Sequence, residues 1–154
     1  MSKYGWKRGA RIKKLDPEDV AKCLEQTKDK HGAITPENIV KDAKAKTSPI
    51  HNYFVWDGDV AAHQYRLVQA RELTRYLIIR EEDDAGNEIE VRAYHLITED
   101  EEENEYVDAV TVMSDEDMRT QVIARAKKEM IDWRKRYANL LEFSKLFEMI
   151  DRIT

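Results

Sequence analysis

Four histidines, one cysteine and a surplus of acids are the chemically capable residues of this 154-residue chain. His31, His51, His63 and His95 have spacings that match no metal site, and Cys23 alone cannot close a cysteine-containing zinc site. There is no glycine-rich phosphate loop, no G-x-S-x-G elbow and no H-E-x-x-H. The acids fall in runs, Glu81-Glu82-Asp83-Asp84 and 99–105, where solvated carboxylates lack the burial that tunes a general acid or base. A non-enzymatic protein without cofactor or bound metal is expected. The acidic runs are then either solvated loops or an anionic surface that imitates phosphate. Cys23 lies on an amphipathic stretch and reads as a buried, inert thiol.

The cations are more informative. Residues 1–14 hold Lys3, Lys7, Arg8, Arg11, Lys13 and Lys14 and no acid, although the whole chain carries −5. Residues 81–105 hold twelve acids against the single Arg92. Interleaved with Tyr4 and Trp6 and loosened by Gly5 and Gly9, the basic arm suits a segment that orders on a polyanion. Lysine and arginine release counterions from phosphates, and aromatics stack on bases. The same arm could instead dock on the acidic runs, in this chain or a neighbour, or remain a disordered tail.

A second basic candidate lies in 32–54. A Thr35-capped helix with Ile39 and Ala43 inward, a short turn and a Ser48-capped second helix form a helix-turn-helix pattern. In that motif the second helix meets base edges, which assigns Ser48, His51 and Asn52 as readers. Lys41, Lys44 and Lys46 would then face phosphates. The alternative is a helical hairpin whose Tyr53, Phe54 and Trp56 plug the core. Further on, Arg71 and Arg75 share a helical face at i and i+4, with Arg66 nearby, as a phosphate stripe or as ion-pair partners of nearby acids.

The elements that must position these residues follow from caps and periodicity. Asp16-Pro17-Glu18-Asp19 starts a helix over 17–30 with Val20, Cys23, Leu24 and Thr27 on one face and Gly32 as its stop. Thr35-Pro36 starts a second, with Ile39, Val40 and Ala43 inward, ending near Lys46. Asp57 or Asp59 caps a third over 59–75, facing inward through Val60, Ala61, Tyr65, Val68 and Leu73 or Tyr76. The period then changes to two. Tyr76–Ile79 and Ile89–His95 form a hairpin around Asp84-Ala85-Gly86-Asn87, residues 99–105 form a loop, and Tyr106–Val112 adds a third strand. Ser114 caps a last helix over 115–150, whose heptad-like row is Ile123, Ala126, Met130, Trp133, Tyr137, Leu140 and Phe147, failing at Ser144. That row serves either packing within the chain or self-association; Ile123, Met130, Trp133, Tyr137, Leu140 and Phe147 are the candidate interface.

The expected fold class is therefore α+β. A basic flexible arm (1–15) precedes a helical, helix-turn-helix-like subdomain (16–75), a three-stranded antiparallel β-meander with acidic loops (76–113) and a long C-terminal helix (114–154), together one compact domain. No apolar run reaches the ~20 residues of a membrane span, and the basic start lacks the apolar stretch of a secretion signal. With one cysteine, a reducing cytoplasm is expected.

Three runs carry a resemblance: Ile34-Thr35-Pro36-Glu37-x-Ile39-Val40, Ser48-Pro49-Ile50-His51-x-x-Phe54-x-Trp56-Asp57, and Ala61-Ala62-x-x-Tyr65-Arg66-x-x-Gln69-Ala70-Arg71. With Trp133-Arg134-x-Arg136-Tyr137 they resemble a family of small phage and prophage proteins along the whole chain. The resemblance implies a phage setting and a matching architecture, and it carries over no catalytic residue. The combined expectation is a phage accessory protein that binds nucleic acid through its N-terminal half and forms a homodimer or higher oligomer. The competing expectation is an interaction module for a host or phage protein, working through its acidic loops.

Overall fold

The computed structural model describes residues 3–12, 14–100 and 103–154. The fold is α+β. In order come β1 (Tyr4–Trp6), α1 (Pro17–His31), α2 (Pro36–Ala43), a 3₁₀ turn (His51–Tyr53), α3 (Val60–Tyr76), β2 (Leu77–Glu82) and β3 (Glu88–Arg92). They are followed by β4 (Tyr94–Asp100), β5 (Glu103–Asp108), α4 (Ala109–Ser114), α5 (Glu116–Arg136), a second 3₁₀ turn (Leu141–Phe143) and α6 (Ser144–Ile153). The chain divides into two compact units, Met1–Thr111 and Val112–Thr154.

In the first unit, local signals set the first two helices. The Asp16 carboxylate accepts from the backbone N–H of Glu18 and Asp19, and Gly32 ends α1 at φ 81°. Thr35 caps α2 by accepting from the Asn38 N–H. Val20, Leu24, Ile39, Val40 and Ala43 bury against Leu67, Ala70 and Leu73 of α3 and against Leu77 and Ile79 of the sheet. The inward face predicted for α3 holds only at Leu73, with Tyr76 partly buried. Val60, Tyr65 and Val68 are exposed, and Leu67, Gln69, Ala70 and Thr74 are buried instead. The side chain of Ala61 lies outside the described ones. Apolar residues are scattered around this helix, so its period alone selects no face.

The three-stranded antiparallel sheet has the order β1-β2-β3. Its third strand is therefore Tyr4–Trp6 and not Tyr106–Val112. Leu77, Ile78 and Ile79 are all buried, and a strand buried on both faces gains most when both of its edges are paired. Asp83 closes the β2–β3 turn by accepting from the N–H of Ala85 and Asn87, with Gly86 left-handed at φ 79°.

The acidic run 99–105 is also corrected. It does not stand apart as a loop: Tyr94–Asp100 and Glu103–Asp108 pair as a second, two-stranded sheet. Leu96 opposite Tyr106 and His95 opposite Val107 supply cross-strand contacts that outweigh charge repulsion near the tip. Beyond it, Val110 to Ser114 are helical despite their β-branched character. Asp108 accepts from the Thr111 N–H at 2.9 Å and from its hydroxyl at 2.7 Å, a cap that redirects the backbone.

In the second unit the long helix is broken. α5 is capped by Asp115, not Ser114, which accepts from the Met118 N–H. It ends at Arg136, and α6 begins at Ser144, the position where the heptad row fails. Neither glycine nor proline makes this break. Folding back instead brings the Trp133 ring within 5.6–5.9 Å of Phe143 and Phe147, contacts that a straight helix would forgo, while its neighbour at i+4, Tyr137, stays at 5.5 Å.

Candidate nucleic-acid interface

The arm is not free over its first turns. Trp6 pairs with Leu77, and the Lys7 N–H donates to the Tyr76 carbonyl at 2.9 Å, which fixes the arm beside the C-terminal turn of α3. That turn presents Arg75, and one turn earlier Arg71, both exposed. Ala10 then donates to the Lys7 carbonyl, Gly9 adopts φ 85°, and the buried Ile12 anchors the far side. Between these anchors Lys7, Arg8 and Arg11 stand exposed. The backbone of Lys7 is thus fixed beside the turn of α3 that carries Arg75, and none of Lys7, Arg8, Arg11, Arg71 and Arg75 ion-pairs with a described residue. The carbonyl end of a helix favours cations, so the site is compatible with the charge it collects.

The other predicted contacts disperse. Lys3 is exposed, its carbonyl accepts from the Arg80 N–H, and its ammonium lies 5.3 Å from the Tyr4 ring. Trp6 is half-buried: it packs against the core, and its indole N–H donates to the Leu15 carbonyl at 3.0 Å. Lys13 lies outside the described residues. Lys14 is exposed in a left-handed conformation at φ 75° just before α1. Lys41, Lys44 and Lys46 are exposed on α2 and the turns after it, a separate stretch from the arm.

The helix-turn-helix reading is corrected. Its second helix is a single 3₁₀ turn, too short to reach into a groove, with Ile50 at its start and no side-chain cap from Ser48. Ser48 instead lies in hydrogen-bond reach of the buried Cys23, whose thiol is pushed up chiefly by burial. His51 donates through Nδ1 to the Ala43 carbonyl at 2.8 Å and stacks on Trp56, with ring centroids 5.0 Å apart at 12°. Of the three proposed readers only Asn52 is exposed. Segment 48–56 is a plug held by α3. Tyr53 donates to Glu72, Gln69 donates to the Tyr53 carbonyl, and Arg66 donates to the Val55 carbonyl while its guanidinium sits 5.4 Å from Trp56. His51, Phe54, Trp56, Arg66 and Gln69 meet in this contact, which helps hold the fold.

One polar centre has no signal in the local sequence. Asp42 accepts from Thr27 Oγ1 at 2.9 Å, Lys30 Nζ at 3.0 Å and His31 Nε2 at 2.8 Å, joining α1 to α2. Burial acts to raise its carboxyl, but the hydrogen bonds from His31, Lys30 and Thr27 outweigh this and hold it below the usual carboxylate range.

The self-association row is divided. Trp133, Tyr137 and Phe147 meet within their own unit, and Leu140 lies half-buried in the turn between helices. Ile123 is exposed and Met130 half-buried on α5. Among the described residues no group of three histidines, cysteines or acids is placed to hold a metal, and no helix is long and apolar enough to cross a membrane. No family model, curated protein or solved structure matches this chain.

Proposed function

We propose that this chain is a non-enzymatic phage accessory protein that binds nucleic acid through the basic end of its first unit and self-associates through its second. The observation that carries the reading is the fixing of Lys7 to the last turn of α3, which adds Arg71 and Arg75 to the cations of the arm. Exposed, unpaired cations without a reading helix favour contact with phosphates over base edges, and so binding that tolerates any sequence and weakens with salt. A phage setting and a cytoplasmic site of action follow from the family resemblance and from the single buried thiol. The test is binding of labelled duplex and single-stranded DNA at two salt concentrations. Micromolar or tighter binding that falls steeply with salt supports the reading; no binding at low salt refutes it.

A second reading rests on the acids. Glu81, Glu82, Asp84 and Glu88 are exposed around the β2–β3 turn, an anionic surface suited to a nucleic-acid-binding host protein, and the sequence of 99–105 is acidic as well. Capture of such a protein, lost when acids of 99–105 are neutralised and unaffected by Lys7, Arg8 and Arg11 to alanine, would select it.

A further inference from the structure

The second unit leaves much of its apolar surface uncovered. None of the residues of α5 is buried, and α6 buries only Phe147 and Ile150. A unit this short lies near the lower limit for folding on a core of its own. Helical spacing sets Arg119, Ile123, Ala126, Met130 and Trp133 on one face of α5. α6 occupies the C-terminal end of that helix through the Trp133–Phe147 contact and the Arg134–Asp151 ion pair at 2.8 Å. The N-terminal end is left as an open groove of about 310 Å³ lined by Met113, Ser114, Glu116, Arg119, Thr120 and Ile123.

α6 carries a matching shape. Leu146, Met149 and Ile153, at i, i+3 and i+7, are 43%, 61% and 54% exposed. Lys145 and Arg152 lie along this stripe, while Glu116 lines the groove and Asp117 follows it in the first turn of α5. None of these four ion-pairs with a described residue. We infer that the occupant of the groove is α6 of a second copy. The inference rests on the self-association proposed above and deepens it by naming both surfaces.

Because the groove and α6 lie at opposite ends of α5, two copies satisfy each other only with their α5 helices antiparallel. The two-fold axis then passes near Ala126, whose small side chain permits close approach, and Ile123 of each copy meets Met130 of the other. Such an interface is self-complementary and closes at two copies. The exposed parts of Met113, Ile123, Leu146, Met149 and Ile153 amount to roughly 450 Å² of apolar surface; at the usual apolar share this corresponds to roughly 800 Å² per partner, the standard interface size. The basic edge of α6 meets the acidic start of α5, which sets the register.

The experiment is the mass of the full chain by light scattering over a concentration series. The wild type is a dimer. Leu146→Glu with Met149→Glu weakens it about a hundredfold while the helical circular-dichroism signal is retained, because both positions are exposed. Should that variant lose helix, the charge pair decides: Lys145→Glu with Arg152→Glu weakens the dimer about tenfold, and adding Glu116→Lys with Asp117→Lys restores it. A wild type that stays monomeric overturns both this inference and self-association. A dimer indifferent to all of these changes overturns only this interface and leaves self-association through another surface.

Discussion

Replacing Arg71 and Arg75 by glutamine tests whether the basic end of the first unit acts as one site. Both side chains are exposed on α3, so glutamine keeps helix propensity and removes only charge. If Lys7, Arg8, Arg11, Arg71 and Arg75 each meet one phosphate, the slope of log K against log salt is about −4.5 on duplex and about −3.5 on single strands. Raising salt from about 50 to about 200 mM then weakens duplex binding roughly 500-fold. Without the two arginines the slope falls to about −2.7, and the same change costs only roughly 40-fold. Fluorescence anisotropy with a labelled duplex across a salt series reads these slopes directly. Lys44→Gln with Lys46→Gln is the control, since these residues lie after α2, and it leaves the slope unchanged. The reasoning fails if the Arg71 and Arg75 variant keeps the wild-type slope while Lys7→Gln, Arg8→Gln and Arg11→Gln together abolish binding. The arm would then act alone, and its attachment to α3 would be structural only.

Trp6→Phe keeps an aromatic ring in the packing but removes the indole's five-membered ring and leaves the Leu15 carbonyl without its donor. It should cost about 1 kcal/mol in urea unfolding and leave affinity for single-stranded DNA unchanged; a clear loss of affinity would restore base stacking to Trp6. Asp42→Asn removes the charge that gathers Thr27, Lys30 and His31, and should cost about 2 kcal/mol at neutral pH, most of it from the two less exposed partners. The folded-state pKa of Asp42 is depressed, so the stabilisation is present above the ordinary carboxylate pKa and is lost as pH falls through the lowered value. Wild type and Asp42→Asn should therefore converge in acid unfolding; a constant difference down to the lowest pH would contradict this.

Much of the fold is written locally. Asp16, Gly32 and Thr35 act through backbone groups within four residues, and Val20, Leu24, Ile39 and Ala43 repeat at helical spacing, so α1, α2 and their buried faces follow from the sequence alone. The β2–β3 hairpin is equally local, because Asp83 and Gly86 make its turn without distant help. The concentration of cations in the arm and of acids in 81–105 is likewise a property of the chain itself.

What the tertiary structure decided is where distant segments meet. Tyr4–Trp6 has too few residues to signal a strand, and it becomes one because the buried β2 offers an edge. That pairing, across some seventy positions of sequence, sets the start of the basic arm beside the end of α3 that carries Arg75. Ser48-Pro49-Ile50-His51 has the spacing of a capped helix, yet the hydrogen bonds of α3 with Tyr53 and Val55 and the stacking of His51 on Trp56 draw it inward. The heptad row from Ile123 to Phe147 predicts one helix, since period alone cannot distinguish a straight stripe from two that fold together. The aromatic contacts of Trp133 favour the folded form, which leaves the other end of α5 open. Local rules act over a turn or two of chain; these outcomes depend on surfaces that exist only after the elements have formed.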